Sequence, residues 1–99
     1  MIGEIRSLIV ERNFKTYFYE IDVISVCGEK IYFTEVKTRK NHKAGGGMAA
    51  IDRRKLAKMQ FAAECFLKYR AREFGELNPL LAVASVDGGF RVEDWFPLD

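Results

Sequence analysis

The chain has 99 residues, of which 48% are hydrophobic and 30% charged, and its formal net charge is +2. This length predicts a single domain over residues 1–99, and the composition excludes a disordered or low-complexity protein. No apolar run is long enough to span a bilayer, and the start lacks the apolar segment of a signal peptide, so we expect a cytoplasmic protein.

The first half of the chain predicts three strands. Residues 5–12 have a strand-like pattern, and residues 17–27 and 30–38 are rich in the β-branched and aromatic residues that favour strands. Gly28-Glu29 between the last two is a Gly-X pair that suits a tight hairpin turn. The second and third strands are therefore expected to pair as an antiparallel hairpin.

The second half predicts one helix and two further strands. After a glycine-containing loop at residues 41–48, apolar residues recur at three- and four-residue steps over 49–73, which predicts a long amphipathic helix. Phe61 in this helix is expected in the core or at an interface rather than as a platform for bases. Strands are predicted at 80–86 and 90–95. The order βββαββ predicts an α/β fold in which a mixed sheet carries one long helix.

Positive charge is concentrated in one segment. Lys37 to Lys58 contains eight basic residues and a single acid, Asp52, so its net charge is +7 and the rest of the chain carries −5. Such a patch is typical of proteins that bind a polyanion, although a solvated loop and helix start explain the charge equally well. Basic side chains are disfavoured at a helix N-terminus, which favours the functional interpretation. The candidate phosphate-binding residues are Arg39, Lys40, Arg53, Arg54, Lys55 and Lys58.

The hairpin is expected to gather charged residues on one face. With a two-residue turn, Asp22 lies opposite Glu35, and Glu20 lies opposite Lys37. Because side chains alternate along a strand, all four share a face, and the apolar residues nearer the turn continue that face into the core.

These acids and the lysine can form either a metal site or ordinary ion pairs. Two adjacent carboxylates repel each other, and a cation relieves that repulsion. Hard oxygen ligands at this spacing suit Mg²⁺ (or Mn²⁺) bound by Asp22 and Glu35, with Lys37 beside it to stabilise charge on a phosphate. The alternative is that Lys37 forms cross-strand ion pairs with Asp22 or Glu20, which are common and contribute little stability.

The hairpin is apolar on both of its faces. One face is expected to carry Ile24, Val26, Ile31 and Phe33, and the other Tyr19, Ile21, Val23, Tyr32 and Val36. A sheet that is apolar on both sides needs cover on both. One helix covers only one face, so we predict that a second copy of the chain covers the other, in a homodimer.

The residues of the hairpin resemble a nuclease signature. Asp22, followed after twelve residues by Glu35-Val36-Lys37, is similar to the PD-(D/E)XK motif, in which an Asp precedes an E-X-K strand. A wider set of residues also matches one family: Asn13, Glu20-Ile21-Asp22, Glu35-Val36-Lys37-Thr38-Arg39, and Ile51 with Lys55. Through this set the chain resembles the YraN-like family of the PD-(D/E)XK superfamily, over residues 5–95.

The resemblance implies a restriction-endonuclease-like core and action on nucleic acid, with DNA favoured over RNA. It also implies that Asp22 and Glu35 bind the metal and that Lys37 is catalytic, with Glu20 as a further member of the catalytic group. The family begins with a long helix whose Gly-Glu motif supplies an acid that can complete the metal site. This sequence reaches Asn13 without room for that helix.

Two functional hypotheses follow. In the first, the protein is a metal-dependent nuclease that hydrolyses phosphodiesters with Mg²⁺ and Lys37. In the second, it is a catalytically inactive module that keeps the nuclease fold and binds nucleic acid or dimerises. The intact set of Asp22, Glu35 and Lys37 favours the first hypothesis, and the missing N-terminal acid and small net charge favour the second.

Overall fold

The computed structural model describes residues 8–38, 53–86 and 92–98. The elements in chain order are β1 (Leu8–Lys15), β2 (Glu20–Cys27), β3 (Lys30–Thr38), α1 (Arg53–Tyr69), α2 (Ala71–Phe74), β4 (Asn78–Val86) and β5 (Val92–Leu98). The five strands lie in the sheet in chain order, with β3 and β4 parallel and the other neighbours antiparallel. The predicted α/β fold, a mixed sheet with one long helix, is confirmed.

Several element bounds differ from those predicted. β3 has the predicted bounds, but β2 begins at Glu20 instead of residue 17, because the residues before it form a turn. β1 continues to Lys15, and β4 begins at Asn78. The predicted loop at 41–48 and the first residues of the predicted helix, 49–52, lie outside the described residues.

The turn between β1 and β2 is held by one threonine side chain. The Thr16 hydroxyl donates a hydrogen bond to the Tyr19 carbonyl at 2.8 Å and accepts one from the Tyr19 amide at 3.1 Å. The Thr16 amide also donates to the Tyr19 carbonyl at 2.8 Å. Because this side chain satisfies backbone groups locally, the turn replaces the strand that the aromatic residues predicted.

The core lies between α1 and one face of the sheet. Phe66 of α1 is fully buried and meets Phe14 edge-on, with ring centroids 5.1 Å apart, and Phe33 at 5.9 Å. Ile24 and Ile31 are buried in the same cluster. Within the described parts of the chain, neither helix is long and apolar enough to cross a membrane.

The register predicted for the hairpin is confirmed. β2 and β3 pair from Cys27↔Lys30 to Val23↔Thr34, the register that a two-residue turn requires. Gly28 has a φ of +62°, a left-handed conformation that glycine adopts without steric cost. The hairpin turn is therefore where the sequence predicted it.

Side-chain alternation is interrupted in both strands beside Asp22. Ile21 and Ile24 are three residues apart and both lie in the core cluster under α1. In β1, Phe14 packs against that same cluster. Glu11, three residues earlier and paired with Ile24, also lies on the α1 side, because it forms an ion pair with Arg70 beyond the end of α1. Between them Asn13 has a φ of +53°, a conformation that Asn tolerates better than most residues. The interruption thus falls on Asn13 and Asp22, which face each other across the two strands.

This interruption corrects the predicted faces of the hairpin. Tyr19 and Ile21 were assigned to the face away from Ile24, but Ile21 is buried in the α1 core and Tyr19 packs against it. The face away from α1 contains Thr34 and Ala82, which are buried. That face therefore contains fewer large apolar side chains than predicted, and the homodimer derived from it stays a prediction.

Replacing Phe66 by alanine tests whether this face of α1 makes the core. Phe66→Ala should lower the free energy of unfolding by about 3–5 kcal/mol, because a buried aromatic ring is lost and a cavity remains. Phe61→Ala, on the same helix but 42% exposed, should change it by about 0.5 kcal/mol. Urea unfolding of both variants measures the difference. Equal losses would show that α1 packs through a different face.

Candidate functional site

Asp22 lies where the backbone pairing of β2 with β3 ends. Its Oδ2 accepts a hydrogen bond from the Val36 amide at 2.7 Å. Asp22 is one residue beyond Val23, and Val36 two residues beyond Thr34, the last pair of the hairpin. The carboxylate therefore takes the place of a main-chain carbonyl as the acceptor for β3. This contact fixes Asp22 next to Glu35 in the neighbouring strand.

Glu35 is the centre of the site. It is 8% exposed, although it is charged, and side chains from three elements meet it. Lys55 of α1 places its Nζ 2.6 Å from Glu35 Oε2, and Lys37 of β3 places its Nζ 3.2 Å from the same oxygen. The Tyr19 hydroxyl donates a hydrogen bond to Glu35 Oε1. The site lies at the rim of the core, where the first turn of α1 meets β3.

These partners keep Glu35 ionised. Burial alone would raise the pKa of Glu35, but the hydrogen bonds from its three partners outweigh burial and lower that pKa below its ordinary value. Burial and the bond to Glu35 raise the pKa of Tyr19 far above its usual range, so its hydroxyl remains a donor. Burial would lower the pKa of Lys55, but its contact with Glu35 raises it, so the ammonium stays charged.

The pKa of Asp22 is shifted in the opposite direction from that of Glu35. Burial raises the pKa of Asp22, and the nearby charges of Glu35 and Glu20 raise it further. The Val36 amide and the charge of Lys55 oppose that shift without cancelling it. The net shift is upward, so the surrounding protein compensates the charge of Asp22 less well than water does. The two carboxylates of the site therefore differ: one is matched by cations of the protein, and the other is under-compensated.

The structure brings most of the predicted site residues together. Asp22, Glu35 and Lys37 converge as predicted, and Glu20 is close enough to act on the charge of Asp22. Lys55 forms an ion pair with Glu35. It also lines an open depression together with Tyr19, Arg54 and Lys58. Arg53 is exposed on the first turn of α1. Arg39 and Lys40 lie outside the described residues.

Three features of the site were not predicted. Tyr19 was placed on the opposite face because strict alternation puts it there, and no pattern in the sequence marks the interruption. Lys55 was predicted as a phosphate contact, and its position among basic residues at a helix start hinted at a nearby anion but did not identify Glu35. Ser85 lies beside Lys37 in the parallel β3–β4 register, and its Oγ is buried without a hydrogen-bond partner among the described residues.

The two carboxylates are oxygen donors of the kind that a divalent cation binds. Mg²⁺ is usually held by one or two carboxylates together with waters and a substrate phosphate. Asp22 and Glu35 supply two, and the under-compensated charge of Asp22 is one that a cation would stabilise. Within residues 8–38, 53–86 and 92–98, no group of three or more acidic, His or Cys side chains is placed to hold a metal ion.

Neutralising each carboxylate in turn should change stability in opposite directions. At neutral pH the lowered pKa of Glu35 means that its charge stabilises the folded state, so Glu35→Gln should cost about 1–3 kcal/mol. The raised pKa of Asp22 means that its charge opposes folding, so Asp22→Asn should leave the melting temperature unchanged or raise it. Thermal unfolding at pH 7 without metal measures both. A large loss of stability in Asp22→Asn would contradict this charge assignment.

Comparison with known proteins identifies the family. The profile described as "Uncharacterised protein family UPF0102" matches residues 4–87. A UPF0102 protein of Fusobacterium nucleatum is 43% identical over 60 residues, which cover 61% of this chain and 50% of that protein. Those of Syntrophomonas wolfei and Dictyoglomus thermophilum are 33% and 30% identical, over 85% and 89% of this chain and 74% and 75% of their own lengths. The chain therefore belongs to the UPF0102 family, the YraN-like family that its hairpin motif resembles.

Proposed function

We propose that this protein is a nuclease-like enzyme that hydrolyses phosphodiester bonds in nucleic acid with the help of Mg²⁺ or Mn²⁺. One observation carries the proposal: Asp22, Glu35 and Lys37 converge at a solvent-accessible rim, and the pKa of Asp22 stays raised although the charge of Lys55 acts to lower it. Two acids and an ammonium in this arrangement are the groups that metal-assisted phosphodiester hydrolysis uses. Membership in UPF0102 is compatible with this activity and does not define it.

Each residue has a role that its surroundings support. Asp22 and Glu35 would hold the cation, and Mg²⁺ bound there would polarise the phosphodiester and activate water. The Lys37 side chain is 25% exposed, so its ammonium can reach a phosphate while it stays near Glu35. Such a fixed positive charge stabilises the negative charge that develops during hydrolysis. Tyr19 remains protonated and orients the Glu35 carboxylate through its hydrogen bond.

The basic residues of α1 would position the substrate. Arg54, Lys55 and Lys58 line the depression next to Tyr19, directly beside the carboxylates. Contacts of this kind bind the phosphate backbone and carry no sequence preference of their own. Arg53, and Arg39 and Lys40 from the segment after β3, complete the proposed phosphate-binding set. DNA is the proposed substrate in preference to RNA, and the cytoplasm the proposed location.

A specific observation supports a second candidate function. Lys37 and Lys55 already neutralise Glu35 without a metal, and an ion-paired carboxylate of this kind needs no cation to be stable. A protein that keeps these pairs can bind nucleic acid through its basic residues without cleaving it. The second candidate is therefore a nucleic-acid-binding module that retains the nuclease fold, either as a monomer or as the predicted homodimer.

Cleavage assays with matched variants separate the two functions. With Mn²⁺ or Mg²⁺ and a panel of single-stranded, flapped and branched DNA, Lys37→Ala should reduce the cleavage rate by on the order of 100- to 1,000-fold, because one stabilising charge is removed. Asp22→Asn should reduce it as strongly, since a proposed metal ligand is lost.

The control is Lys30→Ala, which removes an exposed lysine from the other end of the same strand and should cleave at the wild-type rate. Cleavage by wild type and both site variants at the same rate would reject the proposal. Absence of cleavage by the wild type, with DNA binding that Lys58→Ala weakens, would assign the second function.

A further inference from the structure

A surface of exposed aromatic rings lies beside the candidate site. Tyr17 is 91% exposed, Phe18 61%, Tyr69 72% and Phe61 42%. Phe61 was expected in the core or at an interface; it lies outside the core and meets Phe18 edge-on, with ring centroids 5.6 Å apart. Large apolar side chains gathered in this way at the surface of a small domain mark a binding surface. We call these four residues the aromatic surface.

The aromatic surface continues the basic depression along one side of α1. Arg54, Lys58, Phe61, Cys65 and Tyr69 follow one another at three- and four-residue steps, so they form a single stripe along the helix. Arg54 and Lys58 line the depression beside Tyr19, and Phe61 and Tyr69 line the next groove with residues of β1 and its turn. From Arg54 to Tyr69 the stripe is about 22 Å long, at the rise of an α-helix.

The turn before β2 presents its two rings in a fixed conformation. Thr16 holds the turn through hydrogen bonds to the backbone of Phe18 and Tyr19. Tyr17 and Phe18 are its central residues, and their rings meet edge-on at 5.0 Å. Rings that are already ordered lose little conformational entropy when a flat ligand stacks on them. Tyr19, the next residue, reaches Glu35, so the turn joins the aromatic surface to the site.

We infer that the stripe binds an unpaired segment of nucleic acid, with its bases on the aromatic surface and its phosphates on Arg54 and Lys58. Charge complementarity favours this occupant, because the described residues that line the two grooves beside the rings include four cations and one acid, Glu11. The cations are Lys15, Arg54, Lys55 and Lys58. A basic track interleaved with aromatic rings is the arrangement by which proteins bind single strands, since every base offers a face for stacking and every nucleotide a phosphate. In a duplex the bases are stacked on each other and cannot reach the rings.

This inference rests on the proposed function, because it names the substrate of that site. The substrate is a single strand or the unpaired part of a branched structure. The strand would run along α1 toward Lys55 and Glu35. Binding can be measured without cleavage, so the two proposals can fail separately.

The test compares three fluorescent DNA probes by anisotropy, in EDTA and at fixed salt. The probes are a short oligothymidylate, an abasic strand of the same length, and a blunt duplex. Wild type should bind the oligothymidylate most tightly. Phe61→Leu keeps an apolar side chain but removes the ring, and should weaken oligothymidylate binding by about 5- to 100-fold while leaving the abasic strand unchanged. Phe61→Trp, which keeps a ring, should bind like wild type.

Two controls make the result specific. Leu8→Ala removes an exposed apolar side chain at the far end of β1 and should change binding to none of the probes. Lys58→Ala should weaken binding of both single strands together and reduce the salt dependence, because it removes a phosphate contact. Unchanged thermal unfolding shows that each variant is folded.

Three results would overturn the inference. The first is equal affinity for oligothymidylate and duplex, and the second is wild-type affinity in Phe61→Leu. The third is a wild-type dimer, seen by sedimentation velocity, that Phe61→Ser converts into a monomer without loss of oligothymidylate binding. That last result would assign the aromatic surface to a second copy of the chain. Whether the protein cleaves DNA bears on none of these outcomes.

Discussion

The buried charge of Glu35 is the interaction on which the site and part of the fold depend. α1 begins with Arg53, Arg54 and Lys55 and has no acidic residue in its first turn, although a helix N-terminus favours negative charge. Lys55 extends from this first turn to Glu35 of β3, which compensates part of that positive charge. One carboxylate thus attaches the start of α1 to the sheet and sets the place where basic residues, acids and the core meet.

The charges of the two acids in the site have opposite effects on the stability of the folded state. Glu35 is compensated by two lysines and a tyrosine, so its charge contributes to the folded state. Asp22 accepts a hydrogen bond from the Val36 amide and lies near two acids, Glu35 and Glu20, as well as Lys55. The net shift of its pKa is upward, so its charge works against folding. Residues whose charge opposes folding are common at functional sites, where the unfavourable environment serves binding or catalysis. The stability of the fold does not explain why this site contains a charged residue at position 22.

The sequence predicted the hairpin well because its register depends on local chemistry. Gly28 fixes a two-residue turn, and the turn fixes which residues of β2 and β3 face each other, so Asp22 and Glu35 could be placed together without coordinates. The chain order of strands and helix then gave the fold class. These features follow from short-range rules that hold within a few residues.

Side-chain alternation gave the wrong prediction where β1 and β2 are both irregular at the same position. Alternation predicts a face for every strand residue, but it assumes that no residue interrupts the pleat. Asn13 and Asp22 interrupt β1 and β2 at one position, so Tyr19 and Ile21 point toward α1 against the prediction. Asn is compatible with an ordinary strand as well as with a left-handed conformation, so the sequence did not signal the change. The role of Lys55 was missed for another reason, since its partner lies on an element distant in sequence.

The outer strands of the sheet have a consequence for self-association. Among the strands that the structure describes, β1 and β5 are the two edges, and an edge strand exposes backbone groups that can pair with another molecule. β1 carries an irregular pairing between Ile9 and Glu11, the left-handed Asn13, and charged side chains along its length. β5 contains Pro97, which has no amide hydrogen to donate. Neither edge strand presents a regular row of free backbone donors and acceptors. Edge-to-edge association of several molecules into one continuous sheet is therefore disfavoured.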